Sequence, residues 1–516
     1  MTLKDKIATH HFVVGVELVS TRGTMSEKRA IQAKDFSRQL THQSEIDWVS
    51  ITDNAGGNPM LSPEALGTPI LFGGQEVMIH LSCKDFNRHG LESRAWALAS
   101  HGFHNILALS GDYPVSDIGG MAKPVFDLDS IGLIMLLNRM NGGLEIQSRN
   151  FKRRQLLPTQ FFMGAVTTNY KLDERSVVPQ YLKLEKKIQY GAQFIINQIG
   201  YDVRKMHEQI VYLQQHNLGH IPLIGNVFIL NAQVAHLFHS QRIPGVIVSD
   251  ELLAECEKQA SSSDKGKRFF LELAAKQMAI YRGLGYRGVY LGGVHRWDDM
   301  AYILALVDRY SDGDWKSFVR EFRFSRPGEF FLYPEDCQTG LTDPTRQQIT
   351  GHRFLKFSDA CHYQFSKWIH LLAFVHGKRL ARLAKWICQR FSKRLPAVLH
   401  MVEQMNKSVL FDCKDCGDCS LHEIAFLCPE SQCVKNQRNG PCGGSRDLLC
   451  EVRDVECIWS RAYARRKRDG NEHDLLNHVP VLQDQALRGT SSWTNAWLGR
   501  DHSAQSTRAN NHQCRS

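Results

Sequence analysis

"FVVGVEL", residues 12–18, is an apolar, β-branched run with a carboxylate, Glu17, next to its end. Runs of this kind read as buried strands, and the reading decides the fold because seven more follow. They are "DWVSIT" (47–52), "VMIHLS" (77–82), "NILALS" (105–110), "FFMGAV" (161–166), "FIINQI" (194–199), "IPLIGNV" (221–227) and "GVYLGG" (288–293). Stretches with helical spacing separate most of them. Eight strands alternating with helices over residues 1–300 predict an α/β protein built as a (β/α)8 barrel, with an open doubly wound sheet as the competitor. No Gly-x-Gly-x-x-Gly follows the first run, which removes support for a dinucleotide-binding opening.

The 516 residues suffice for more than one domain. Residues 301–408 read as a bridge and a basic helical segment, 409–465 as a small cysteine-rich metal-binding domain, and 485–516 as a disordered tail, because the last stretch turns to Ser, Thr, Asn, Gln and Arg. "CEKQASSSDKGKRF", from Cys256, reads as a polar surface loop. The formal charge is +10, and it is uneven: residues 360–402 carry eight Lys and Arg and no acid, including Lys378, Arg379, Arg382, Lys385, Arg390, Lys393 and Arg394. Such a stripe suits an acidic partner, a membrane surface, nucleic acid or a merely solvated helix face. The start, "MTLKDKIATHHF", has neither the apolar core of a secretion signal nor the composition of a transit peptide. No apolar run approaches the ~20 residues that span a bilayer. A cytoplasmic location is therefore expected.

A barrel concentrates chemistry where its strands end. Glu17 stands at such an end, and so do Thr52, Asp53 and Asn54, His80 to Cys83, Gly111 and Asp112, Thr167 to Asn169, and Asn197 with Gln198. Taken singly, Glu17 has a bland alternative in pairing with Arg22, His80 as a core histidine, and Gly111–Asp112 as a turn. Together they predict polar groups from six strands around one mouth.

The blocks "VELVSTRG", "VSITDNAGGNPMLSP", "IHLSCKDFNRHGLES", "NILALSGDYP", "KPVFDLDSI", "LEKKIQYGAQFIINQIGYD" and "IPLIGNVFIL" resemble, in order and spacing, those of methylenetetrahydrofolate reductases, flavin-dependent barrels of one-carbon metabolism. The resemblance covers residues 10–300, and the cysteine segment is similar to a C-terminal domain fused to some members. It implies a flavin, FAD or FMN, across the barrel mouth, and reduction of 5,10-methylenetetrahydrofolate to 5-methyltetrahydrofolate or the reverse oxidation. Glu17 matches the family's acid, Asp112 the aspartate near flavin and pterin, and Gln198 the glutamine on the pterin. Thr52, His80 and Lys187 match flavin contacts, and Leu109, Ser110 and Gly111 lead into Asp112 along the ring. The pattern departs at "AVTTNY" (165–170), where many members carry Tyr-Pro-Glu-x-His, and at Asn197, where a Thr is usual.

Eight of the fourteen cysteines lie in residues 413–457. Cys413, Cys416, Cys419 and Cys428 follow the spacing C-x2-C-x2-C-x8-C-P, and Cys433, Cys442, Cys450 and Cys457 follow after them. In a reducing compartment that density predicts metal rather than disulfides. The Cys-Pro ending resembles a ferredoxin half-motif and a [4Fe–4S] cluster, whereas paired C-x-x-C spacing is equally the pattern of structural zinc. An iron cluster makes the domain an electron relay from reduced nicotinamide, a ferredoxin or an acidic partner subunit; zinc makes it a folding staple. Expected partners are thus folate and an acidic electron-transfer protein, without nucleic acid or a membrane span. Two other functions compete: a non-catalytic electron-transfer and assembly subunit that uses the barrel as scaffold, and a folate-linked methyltransferase.

Overall fold

The computed structural model describes residues 1–9, 11–147, 152–240, 243–351, 354–375, 379–390 and 395–503. Eight parallel strands form a closed barrel: β1 (Val13–Leu18), β2 (Trp48–Ile51), β3 (Glu76–Ser82), β4 (Asn105–Leu109), β5 (Phe162–Thr167), β6 (Phe194–Asn197), β7 (Leu223–Phe228) and β8 (Gly288–Gly292). The ring closes where Val13 to Val16 of β1 pair with Gly288 to Leu291 of β8. That pairing excludes the open sheet and establishes the (β/α)8 barrel. Helices follow the strands and cover the outside, ending with Trp297–Arg309 after β8.

Strand periodicity separates two cores. On β1, Val14, Val16 and Leu18 face outward and pack with Phe36 and Leu40 of the first covering helix. Val13 faces inward with Trp48, Met78, Leu107, Phe194 and Ile224. Large rings fill this interior because glycines opposite them leave space. A Cβ on Gly15 would lie 2.0 Å from the Trp48 ring, and one on Gly164 would lie 2.2 Å from Phe194. The N-terminal helix Leu3–Ala8, started by a capping box between Thr2 and Asp5, drives Leu3 and Ile7 into the interior core. One end of the barrel is plugged, so ligands have the other end.

The remainder of the chain folds back onto the barrel. After a bridge come helices Phe357–Ala373, Arg379–Arg390 and Leu395–Phe411, then the cysteine segment, and then helix Ile458–Arg468. This last helix joins helix Glu174–Gln189 through Tyr463 Oη donating to Glu174 at 2.7 Å and a Ser176–Ser460 hydroxyl pair at 3.1 Å. The expected disordered tail is corrected over residues 485–503. Helix Ser492–Leu498 forms there, because Ser491 Oγ donates to buried Glu403 at 2.8 Å and Asn495 Nδ2 donates to the Gly417 carbonyl at 2.9 Å. Residues 504–516 lie outside the described residues. The stretch from Cys256 is also not one loop: Cys256 is buried in helix Asp250–Ala260, started by Ser249, and only 261–266 turn before helix Lys267–Leu284. Among the described residues no helix is long and apolar enough to cross a membrane.

Candidate functional site

The open end of the barrel holds a cavity of about 280 Å³, and Glu17, Thr52, His80, Leu109 to Asp112, Lys187 and Gln198 all stand on its wall. The residues picked out along the strands therefore converge. Their neighbours divide. Thr167 and Thr168 also line the cavity, whereas Asn54 is turned to the scaffold, its Nδ2 donating to Asp85 at 2.8 Å. Asp53 borders the cavity but is tied to Arg94 at 2.9 Å. Asn169 belongs to a buried network with Tyr181 and Glu208. Asn197, at the position of the usual Thr, also borders the cavity, but its amide ties β6 to helix Lys267–Leu284 and to β7, donating to Tyr281 at 3.0 Å and accepting the Asn226 N–H at 2.6 Å.

Glu17 projects inward from β1 beside β8. A Cβ on Gly292 would come within 2.4 Å of its Oε2, so glycine at that position is what leaves room for the carboxyl. Burial pushes the Glu17 carboxyl up to about 7, and the hydroxyl of Tyr290 offsets only part of that. No described cation lies within ion-pair distance. Arg22, the bland partner, binds Asp117 instead. The acid is thus poised to hold a proton near neutral pH. His80 shares a 2.9 Å hydrogen bond with Ser50, and burial lowers it to about 4, which leaves its imidazole neutral.

Asp112 is positioned from outside its own loop. The Gly56 N–H, in the turn after β2, donates to its Oδ2 at 2.8 Å. Gly111 before it has φ +89°, a conformation that favours glycine, and an added Cβ would meet Ser82 Oγ at 2.1 Å. Gln198 continues from β6 into the same space, its Oε1 accepting the Ile199 N–H at 2.9 Å.

Helix Glu174–Gln189 contributes three side chains to the cavity from one face: Gln180, Lys183 and Lys187. Lys187 was expected from the sequence; Lys183 and Gln180 were missed, although their four- and seven-residue offsets from Lys187 place them on the same stripe. Lys187 donates to the Val166 carbonyl, and Lys183 donates to the Pro441 and Gly440 carbonyls at 2.9 and 3.2 Å. Neither lysine forms an ion pair with a described residue. Burial pulls Lys187 down to about 7 and lowers Lys183 as well. Two buried amines with neutral partners suit an anionic group such as a cofactor phosphate.

The cavity has a roof that the strand pattern did not foretell. Lys435, Cys442, Gly443, Gly444 and Glu451 from the cysteine segment complete its lining. Lys435 donates to the Gly111 carbonyl at 2.8 Å and pairs with Glu451 at 2.5 Å, and Glu451 accepts from Cys442 Sγ at 3.4 Å. Ser110 Oγ donates to Gln437 at 3.1 Å. Contacts spanning more than three hundred residues leave no periodic trace in a sequence.

The eight cysteines sort into two quartets. Cys413, Cys416, Cys419 and Cys428 line one small cavity beneath helix Leu395–Phe411. Cys433, Cys442, Cys450 and Cys457 lie near enough for charge on one thiol to raise the pKa of another. Polar hydrogens already point at the sulfurs: Lys407 Nζ is 3.5 Å from Cys419 Sγ, and the Gln437 N–H is 3.5 Å from Cys433 Sγ. Among the described residues no group of three or more His, Cys, Asp or Glu is gathered so as to hold a metal ion. The backbone here is unusual. Of eleven described non-glycine residues with positive φ, seven fall between 412 and 448, including Ala425, Phe426 and Leu448, and such conformations cost of order 1–3 kcal/mol each.

The geometry now has independent company. Residues 2–291 match the family model for methylenetetrahydrofolate reductase, and residues 393–485 match that for the methylene-tetrahydrofolate reductase C terminal. No curated protein matches the chain. Similar solved structures include an uncharacterized protein from Clostridium thermocellum that binds two copies of 5-methyl-5,6,7,8-tetrahydrofolic acid. It is 13% identical with a TM-score of 0.41, over 59% of this chain and 97% of that one. Dihydropteroate synthase from Thermus thermophilus in complex with 6HMPPP is 12% identical with a TM-score of 0.30, over 60% and 94%. Since the first model spans more than half the sequence and reaches from the N-terminal helix into the last strand of the closed ring, the chain belongs to the methylenetetrahydrofolate reductase family.

Proposed function

We propose that the protein catalyses flavin-dependent interconversion of 5,10-methylenetetrahydrofolate and 5-methyltetrahydrofolate at the roofed barrel mouth. The observation that carries this reading is Glu17: an acid without a cationic partner, raised to about 7, on the same cavity wall as Asp112 and Gln198. When bound, the flavin supplies the hydride, from its N5. Lys183 and Lys187 would hold its phosphate, and Leu109 to Gly111 would border its ring. Glu17 gives its proton to folate N10, which opens the five-membered ring to an electrophilic iminium. Asp112, fixed by the Gly56 N–H, offsets the positive charge of that iminium. The Gln198 amide donates to and accepts from the pterin edge. The roof keeps water from the proton held by Glu17.

The Cys-Pro ending of the first quartet would suit a [4Fe–4S] cluster and its C-x-x-C spacing equally a structural zinc, but among the described residues neither quartet is gathered as a metal site, so no step is routed through it.

The test is Glu17→Gln. Flavin should remain bound, reduction of an artificial acceptor should survive, and folate turnover should vanish. Equal loss of both reactions would make Glu17 structural. A full chain that contains no flavin and cannot be reconstituted with it would favour the scaffold-subunit reading instead.

A further inference from the structure

Residues 437–441 form a wall on one side of the mouth. All five are buried, and the barrel holds them at three points. Ser110 Oγ, just after β4, donates to the Gln437 side chain at 3.1 Å. The Asn439 N–H donates at 2.9 Å to Asp129, the residue that caps helix Ser130–Asn141. Lys183 donates to Gln437, Gly440 and Pro441 at 3.3, 3.2 and 2.9 Å. The fit is close: a Cβ on Gly440, where φ is +114°, would meet the Lys183 stem at 2.8 Å. From behind, Arg438 donates to Ser420, Glu430 and Gln483 at 2.9, 2.8 and 3.0 Å, and Asn439 exchanges two hydrogen bonds with the backbone of Val481. A buried ribbon bonded on both faces is costly to displace.

The wall lies where a nucleotide cofactor would have to continue. Lys187 and Lys183 enter the mouth on one stripe of helix Glu174–Gln189, and the stripe is covered again farther along, where Ser176 pairs with Ser460 at 3.1 Å. The two amines differ. Lys183 directs three hydrogen bonds, the full complement of an ammonium, into the wall. Lys187 bonds the Val166 carbonyl and keeps hydrogens for a ligand. A monophosphate and a diphosphate bring similar negative charge to this pair, so space rather than charge separates them. A mononucleotide ends at its phosphate, whereas a dinucleotide carries a further adenylyl group past it.

We propose that residues 437–441 restrict the cofactor to a flavin mononucleotide, with Lys187 bonding its terminal phosphate, Lys183 adding charge from the wall, and the wall standing where the adenylyl group of a dinucleotide would pass. The proposal rests on the reading of the mouth as a flavin site. Within it, Gln437 is a specificity-determining residue, because its side chain joins the wall both to Ser110 and to Lys183.

The test titrates the full chain, stripped of flavin, with riboflavin, FMN and FAD in a calorimeter. FMN should bind roughly ten-fold more tightly than riboflavin, through the charged hydrogen bonds of its phosphate, and roughly ten-fold more tightly than FAD. Lys187→Ala should abolish the advantage of FMN over riboflavin and leave riboflavin affinity unchanged. Gln437→Ala, which loosens the wall, should narrow the gap between FMN and FAD by roughly three-fold or more. FAD affinity equal to or above that of FMN overturns the proposal and leaves the flavin site standing. An unchanged gap in Gln437→Ala also overturns it, since the wall would then only seat the roof. So does equal weakening of riboflavin and FMN in Lys187→Ala, which would put the phosphate elsewhere. If none of the three flavins binds, the flavin reading itself falls. Should Gln437→Ala fail to fold, the flavin released by acid from the wild-type protein decides, FMN supporting the proposal and FAD overturning it.

Discussion

The barrel mouth and the cysteine segment that roofs it are built on opposite plans. Around the mouth, polar groups ride at the ends of hydrogen-bonded parallel strands, and Asn54 and Phe126 are left-handed non-glycine residues of the nearby loops. Between 412 and 448 there is almost no regular structure, and seven non-glycine residues are left-handed. Strain of that kind persists only where surrounding interactions over-determine it. The difference teaches that the barrel can prepare its acid in advance through regular hydrogen bonding, whereas the roof is held by side-chain contacts such as Lys435 with Glu451 and with the Gly111 carbonyl.

Should the second quartet take a metal, replacing Cys442 and Cys457 together by Ser would break the comparison most severely, because metal ligation in small domains is worth on the order of 10 kcal/mol. Amide exchange should lose its protection across 412–457 and keep it in β1 to β8. Protection retained in both would show that the segment folds without help. Next in size, Glu17→Gln should slow folate turnover by roughly 10²- to 10⁴-fold, the usual worth of a positioned proton donor. In the parent protein the same rate should decline as pH rises through about 7, where Glu17 loses its proton; a rate that is level from pH 6 to 9 would discard the assignment.

Stability gives a smaller, oppositely signed effect. The Glu17 carboxyl ionises near 4.5 in the unfolded chain and near 7 in the folded one. Between these values the native state keeps a proton that the unfolded state has released, so stability falls as pH rises and the full penalty stands above 7. Glu17→Gln should therefore stabilise the protein by up to about 3 kcal/mol at pH 8 and by almost nothing at pH 4, measured by urea unfolding. The smallest change is expected from Gln198→Ala: roughly ten-fold weaker folate binding with unchanged flavin binding, the size of a lost pair of hydrogen bonds. The reverse order of losses would move Gln198 from the pterin to the cofactor.

The barrel was legible because its signal is local and repeated. Each strand carries inward and outward residues in alternation, and Glu17, Asp112 and Gln198 stand out as polar groups where that alternation ends. Lys183 was as readable as Lys187 in principle, since both lie on one stripe of helix Glu174–Gln189, but its partners Gly440 and Pro441 lie some 257 residues away. The same distance hid Lys435 and Glu451. Residues 485–503 read as disordered because their composition is polar, yet those polar groups are what order them: Ser491 and Asn495 fit acceptors at Glu403 and Gly417 that composition cannot reveal. The cysteine quartets stood out by spacing alone, as thiols in such numbers seldom occur without a shared purpose.

The bond from Lys435 to the carbonyl of Gly111 has a mechanical corollary. That carbonyl immediately precedes Asp112, so the ceiling grips the very loop that presents the aspartate. To admit a molecule as large as folate by swinging this loop aside, the protein must also shift the segment bearing Cys433 and Cys442, so entry at the mouth and the seating of the ceiling are one motion.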